Sequence, residues 1–253
     1  MQLEPQVSAS PSARERSTVL VTGGSGGIGR ALCLAFARAG FWVGVHYGRH
    51  KEAAEETLSQ LSRSGGEGAA YQADIRSRLD IQAMIDAVLE RQGRLDVLVC
   101  NAGVASSHLV LRCPEDEWLR MIDTNLTGTY RCMAAAAPVM MKQGAGSIMV
   151  IGSYAGLHGM SGQAAYAASK AGLAGLVQTA AREWGPHNIR VNLVCPGWQP
   201  TALAGDAFPS PEQLSDHVLG LLSNLEDVSR TICHLAQLPG LSGQIVNLDS
   251  RIL

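Results

Sequence analysis

The sequence predicts an α/β fold: a single domain on a doubly wound, parallel, seven-stranded sheet with helices on both faces. Three observations predict it. Short apolar runs rich in Val, Ile and Leu recur along the chain. Helix-period stretches separate them, and a glycine cluster sits where the first run meets the first helix. Strands that alternate with helices and are apolar on both faces belong to a parallel sheet covered on both sides.

The elements follow in order. The opening stretch, 1–16, is rich in Pro, Ser and Ala, carries Glu4 and Glu15 and lacks an apolar centre. It reads as a flexible arm ahead of a domain spanning 17–253, and not as a secretory signal. Strands are expected at 18–22 (TVLVT), 42–46 (WVGVH), 95–100 (LDVLVC), 147–152 (SIMVIG), 189–195 (IRVNLVC) and 244–248 (QIVNL), with a weaker one at 68–73 (GAAYQA). Helices are expected over 28–39, 51–63, 77–92, 115–142, 164–184, 211–222 and 225–237. In such sheets ligands bind beyond the carboxyl ends of the strands, where the strand order reverses.

The glycine cluster, TGGSGGIGR (22–30), lies between strand and helix. Closely spaced glycines permit a tight turn and let backbone N–H groups approach a pyrophosphate at the helix N-terminus. Strand, glycine turn and helix in that order read as dinucleotide binding rather than as a merely flexible turn. A carboxylate at the end of the second strand would hold the ribose 2′-OH of NAD. Here that stretch is HYGRHKE (46–52), whose first acid, Glu52, lies inside the next helix. Arg49 is placed to pair with a 2′-phosphate, with His46, His50 or Lys51 as helpers, so NADP(H) is favoured over NAD(H).

QAAYAASKAG (163–172) places Tyr166 and Lys170 four residues apart, on one helical face among small residues. A free tyrosine has a pKa of about 10, and a nearby ammonium makes the phenol a better acid. Ser153, closing SIMVIGS, is placed to hydrogen-bond a substrate oxygen, and Asn125 in MIDTNLTG to hold a water near Lys170. Each also has a plain structural reading: Ser153 as a helix cap, Asn125 as a polar helix residue.

Taken together, TGGSGGIG (22–29), Asp74 in YQADI, NAG (101–103), Asn125, Ser153, YAASK (166–170) and PG followed by Thr201 (196–201) resemble the short-chain dehydrogenase/reductase family. The resemblance runs from about Thr18 to Leu248 and implies the Rossmann fold. It implies that Tyr166 is the general acid/base, that Ser153 positions the carbonyl, that Lys170 lowers the tyrosine pKa and binds the nicotinamide ribose, and that Asn125 anchors a relay water. It implies cofactor contacts from Gly23, Ser25, Gly27, Ile28, Gly29, Tyr47, Arg49, Asp74, Ile75, Asn101, Ala102, Gly103, Tyr166, Lys170, Pro196, Gly197 and Thr201. Hydride passes between the nicotinamide and a carbonyl carbon, with the protein supplying orientation and the proton.

Within the family, the segment around YAASK and the tail LSGQIVNLD look most like 3-oxoacyl-acyl-carrier-protein reductases. That implies a 3-oxoacyl thioester substrate, with an acyl carrier protein as a possible partner, and a place in fatty acid biosynthesis. Three places depart from that pattern. The basic residues after MMK and before the sixth strand reduce to Lys142 and His187. Gly26 stands where NADP-dependent members often carry Arg. The tail ends LDSRIL (248–253) where a glycine pair is usual. A substrate lid is expected over 198–222, with His158 and Met160 bordering the pocket or serving only as loop. A small alcohol, sugar or polyketide-type ketone stays open as substrate, and a non-catalytic nucleotide-binding scaffold is the remaining alternative.

Composition sets the remaining bounds. With 253 residues and a net charge of −2, neither nucleic acid nor an anionic membrane is an expected partner. No run approaches the roughly 20 apolar residues of a membrane span. Six cysteines without a CxxC pair, and seven histidines without ligand spacing, suggest a reduced cytoplasmic compartment and no metal site. Cys100 and Cys195 end strand runs as small buried thiols. The resemblance implies a homotetramer, or a dimer, with helices 115–142 and 164–184 forming one interface.

Overall fold

A computed structural model describes residues 16–205, 208–209 and 214–252. Of the expected arm, only Arg16 is among them, paired with Glu67 at 3.0 Å. Seven strands form one sheet: β1 (Thr18–Val21), β2 (Trp42–Tyr47), β3 (Glu67–Gln72), β4 (Val97–Cys100), β5 (Gly146–Ile151), β6 (Ile189–Cys195) and β7 (Ile245–Asn247). Their order is β3-β2-β1-β4-β5-β6-β7, and every pairing is parallel. The expected doubly wound Rossmann sheet is therefore present. Chain order reverses between β1 and β4, which opens a crevice above their carboxyl ends.

The residues explain the layers. β1, β2, β4 and β5 are buried along their whole length, because helices cover both faces. On one side α3 (Arg78–Gln92), α5 (Gly128–Gln143) and α7 (Ala164–Trp184) pack against Leu20, Leu98, Ile148 and Val191. On the other, α1 (Gly27–Arg38) and α8 (Leu225–Gln237) pack against Val19, Val21, Val99 and Met149, and α2 (Lys51–Arg63) extends that layer. Each such side chain withdrawn from water stabilises the fold by about 1.5–3 kcal/mol, before the entropy of ordering is subtracted. The weak 68–73 run is β3, an edge strand with both terminal residues exposed, which is why its apolar signal is faint.

Two expectations need correction. The continuous helix over 115–142 is three pieces: α4 (Glu115–Met121), a π-helical turn over Ile122–Thr127, and α5. The wider turn admits an extra residue, a distortion common at functional sites, and it carries Asn125. The helix expected over 211–222 is not seen at 214–222, where the chain runs in turns, while 211–213 lie outside the described residues. Gly220 adopts φ +61°, a left-handed conformation that ends helical periodicity, and Val218 and Leu219 remain exposed. The short helix α6 (Tyr154–His158) falls between β5 and α7.

Candidate active site

The glycine turn is shaped by what cannot fit beside it. Gly23 and Gly27 take φ +65° and +54°. A Cβ on Gly29 would lie 2.0 Å from the Gly23 carbonyl oxygen, so only glycine allows α1 to start against the turn. The α1 N-terminus has no side-chain cap and no acidic residue in its first turn, and Gly26 opens onto free space. Unfilled backbone donors beside glycine suit an anionic pyrophosphate. Ile28 lines the adjoining cavity, and the Ser25 carbonyl accepts from Arg30 at 2.9 Å.

Thr22, Asn101 and His46 hold this turn in place. Thr22 Oγ1 accepts from the backbone N–H groups of Asn101 and Ala102, at 2.9 and 3.0 Å. Asn101 Nδ2 donates back to the carbonyls of Thr22 and Gly23. His46 Nδ1 accepts from Gly23 N at 2.9 Å, and Nε2 lies 3.0 Å from the Ala73 carbonyl. That pairing requires the neutral tautomer protonated on Nε2, and burial pushes the His46 pKa down. His46 therefore fastens the turn to β2 and β3 and has no nitrogen left for a phosphate, which removes it from the expected helpers of Arg49.

At the far end of the crevice Arg49 is exposed after β2, while Tyr47 is buried beneath it. Asp74 is gripped by Arg76 through Nε and Nη2, its carboxyl held at about 2 first by that hydrogen bonding. Ile75 is buried against Gly128. Thr201 is drawn to the glycine turn, its Cγ2 3.1 Å from where a Gly27 Cβ would stand.

Three of the four catalytic candidates meet at one cavity of about 330 Å³, and the fourth, Asn125, lies outside its lining. Ser153, Tyr166 and Lys170 line it, together with Asn101, Gly103, Pro196, Gly197 and Thr201. Ser153 takes its structural role, its Oγ capping α6 by accepting from Ala155 N at 3.2 Å, and it lines the cavity together with Tyr166. Lys170 is buried with Nζ donating to the Ile151 carbonyl at 2.8 Å, and burial pulls its pKa down to about 8. Burial pushes the Tyr166 phenol up, with the Ser153 hydrogen bond opposing it. The lowering of Tyr166 expected from Lys170 is not seen in the protein by itself, because desolvation dominates for both groups.

Asn125 is fully buried. Its Oδ1 accepts from Val104 N at 2.8 Å, and Nδ2 donates to the Val104 carbonyl and to Ser169 Oγ. Its amide thus ties the loop after β4 to α7, and its main-chain carbonyl receives Thr129 Oγ1 at 2.8 Å. A Cβ on Gly103 would crowd Asn125 Oδ1 and come within 3.8 Å of Lys170 Nζ, so the three residues adjoin. A small residue on α6 lets it pack closely on α7: a Cβ on Gly156 would lie 2.7 Å from the Lys170 backbone.

Of the pocket-border candidates, Met160 lines the cavity, whereas His158 stacks on Tyr154 with ring centroids 4.4 Å apart. Trp198, Gln199 and Leu203 from the expected lid line it too. So does Arg251, from a tail whose sequence signalled only a departure from pattern. Cys100 and Cys195 are buried, and desolvation pushes the Cys195 thiol to about 11.

Residues 17–212 match the family model described as short chain dehydrogenase. The chain is 37% identical over 237 residues to a 3-oxoacyl-[acyl-carrier-protein] reductase of Staphylococcus aureus, covering 92% of this chain and 96% of that one. Identity is also 37% over 245 residues to such a reductase of Synechocystis, covering 96% and 99%. Among solved structures, a variant of actinorhodin polyketide ketoreductase with NADPH superimposes with a TM-score of 0.86 at 30% identity, covering 94% of this chain and 97% of that one.

Proposed function

This chain belongs to the short-chain dehydrogenase family and is an NAD(P)-dependent oxidoreductase, and we propose that it reduces 3-oxoacyl thioesters with NADPH, Tyr166 donating the proton. The observation that carries this reading is the convergence of Ser153, Tyr166 and Lys170 on one mainly apolar cavity that opens beside the glycine turn. When bound, the nicotinamide supplies the hydride. The uncapped α1 N-terminus with Gly23, Gly27 and Gly29 would hold the pyrophosphate. Arg49 would pair with the 2′-phosphate, Asp74 and Ile75 would border the adenine, Asn101 to Gly103 the adenosine side, and Pro196, Gly197 and Thr201 the nicotinamide.

The chain's own residues then divide the work. Ser153 Oγ hydrogen-bonds the substrate oxygen and fixes it against Tyr166. Tyr166, kept protonated by burial, delivers its proton to the developing alkoxide, a role for a positioned acid worth roughly 10²–10⁴-fold. Lys170 supplies positive charge beneath the phenol and binds the ribose hydroxyls. Asn125 braces the Val104 loop, and its main-chain carbonyl, which already accepts from Thr129 Oγ1, would hold a relay water through its second lone pair.

The acyl group arrives on coenzyme A or on an acyl carrier protein. Lys142 and His187, both exposed, offer a carrier only modest positive charge. The polyketide ketoreductase likeness supports polyketide-type ketones as the second reading. Exposed Leu111, Trp118, Leu119 and Tyr130 support assembly into a homotetramer through the α4–α5 face. No helix among the described residues is long and apolar enough to cross a membrane, and a cytoplasmic location fits the buried, reduced cysteines.

The deciding experiment follows NADPH oxidation with acetoacetyl-CoA, a carrier-bound 3-oxoacyl thioester and a panel of ketones and sugars. Thioester turnover that Tyr166→Phe abolishes, with NADPH binding retained, is the expected result. Turnover of ketones or sugars but no thioester would overturn the substrate assignment.

A further inference from the structure

The departure at the C-terminal tail brings a cation into the substrate cavity. Among the described lining residues, Lys170 and Arg251 are the cationic ones. Lys170 is committed to the Ile151 carbonyl. Arg251 is 5% exposed and held from several sides. Its Nε and Nη2 both donate to Asp249 Oδ2, its backbone N–H donates to Asp249 Oδ1 at 2.9 Å, and its carbonyl accepts from Asn247 Nδ2 at 2.7 Å. The guanidinium lies 4.0 Å from the centroid of the Tyr154 ring, which stacks in turn on His158. Arg251, Tyr154 and Ser153 all line the one cavity, so the guanidinium shares it with the residue proposed to bind the carbonyl.

Among the described residues Nη1 has no hydrogen-bond partner, and a guanidinium offers five donors. Asp249 already matches the charge of Arg251, so the open N–H groups suit a neutral acceptor better than a second carboxylate.

We propose that Arg251 reads a second oxygen of the substrate: with the 3-oxo group on Ser153 and Tyr166, Arg251 Nη1 donates to the thioester carbonyl. The assignment rests on the 3-oxoacyl reading above. It makes Arg251 a binding residue that distinguishes 1,3-dicarbonyl substrates from simple ketones.

The test measures KM and kcat for acetoacetyl-CoA, with NADPH affinity by fluorescence titration, in wild type and Arg251→Met. The expected result is a KM raised fivefold or more, about 1 kcal/mol of lost binding, with kcat and NADPH affinity within threefold. Removing Arg251 alone leaves Asp249 buried and unpaired. The double variant Arg251→Gln/Asp249→Asn, which discards both charges, is therefore measured beside it and must show the same KM rise. A smaller rise in a folded variant, or a loss shared by kcat and NADPH affinity, overturns the assignment in favour of a purely structural pair. A wild type that prefers free acetoacetate to acetoacetyl-CoA also overturns it, assigning Nη1 to a carboxylate. A wild type inactive on all thioesters but active on ketones defeats the underlying reading instead, and is visible before any variant is made.

Discussion

The Lys170 ammonium lies 5.8 Å from the centroid of the Tyr166 ring, tethered by the Ile151 carbonyl rather than by the phenol. The helical spacing brings the two groups to one cavity, while β5 decides what the lysine binds. Burial disfavours charge on both, and this gives the pair a pH signature.

Lys170 has its pKa pulled from 10.5 to about 8 by burial. Between those values the unfolded chain holds a proton that the folded chain has released, so stability rises with pH across that window. Below pH 8 both states are protonated and the slope vanishes. Between pH 8 and 10 the wild type should gain roughly 2 kcal/mol relative to Lys170→Met. Urea denaturation of both proteins at the two pH values checks this, and parallel curves would count against it.

Gly26 and Gly29 lie three positions apart and differ in what surrounds them. Gly29→Ala must push a Cβ against the Gly23 carbonyl, whereas Gly26 has nothing within 4 Å of a built Cβ and an extended backbone. Gly29→Ala should cost about 1–3 kcal/mol and most of the dinucleotide affinity, and Gly26→Ala should leave thermal stability unchanged. Differential scanning calorimetry with a cofactor titration separates the two.

Arg49 is exposed after β2, and the neighbouring Lys51 is paired with Glu55 at 3.4 Å. A charge-assisted hydrogen bond is worth about 1.5–3 kcal/mol, so Arg49→Ala should weaken NADPH roughly 10–100-fold and leave NADH nearly unaffected. Equal weakening of both cofactors in fluorescence titrations would remove Arg49 from the 2′-phosphate site.

Asn125 exchanges two hydrogen bonds with the backbone of Val104 while fully buried. Asn125→Ala leaves a buried N–H and a carbonyl unpaired, at about 1–3 kcal/mol each. A lowered Tm is expected together with lost turnover, and Asn125→Asp should restore only the contact to Val104 N. A Tm equal to wild type would show that the clamp contributes nothing.

The exposed apolar residues at 111–130 predict a solution mass of about four chains by small-angle scattering. Leu119→Asp, on a residue 57% exposed, should shift that mass downward. A monomeric wild type would refute the assembly.

What the sequence determined by itself is what local rules encode. Alternating apolar runs and helical periods specify the parallel sheet, because both patterns act within a few residues. The glycine turn and the four-residue spacing of Tyr166 and Lys170 were legible for the same reason. The tertiary structure decided the rest, wherever a residue's role depends on a distant neighbour. His46 sits at a strand end like a phosphate ligand, yet contacts with Gly23 and Ala73 make it a neutral strut. The 115–142 pattern is continuously helical in period, and only the demand that Asn125 reach Val104 accompanies the π-helical turn. Arg251 lies 97 positions beyond Tyr154 in the numbering and stacks on its ring. No periodicity records such a contact, because the closing of the chain around β6 and β7 creates it.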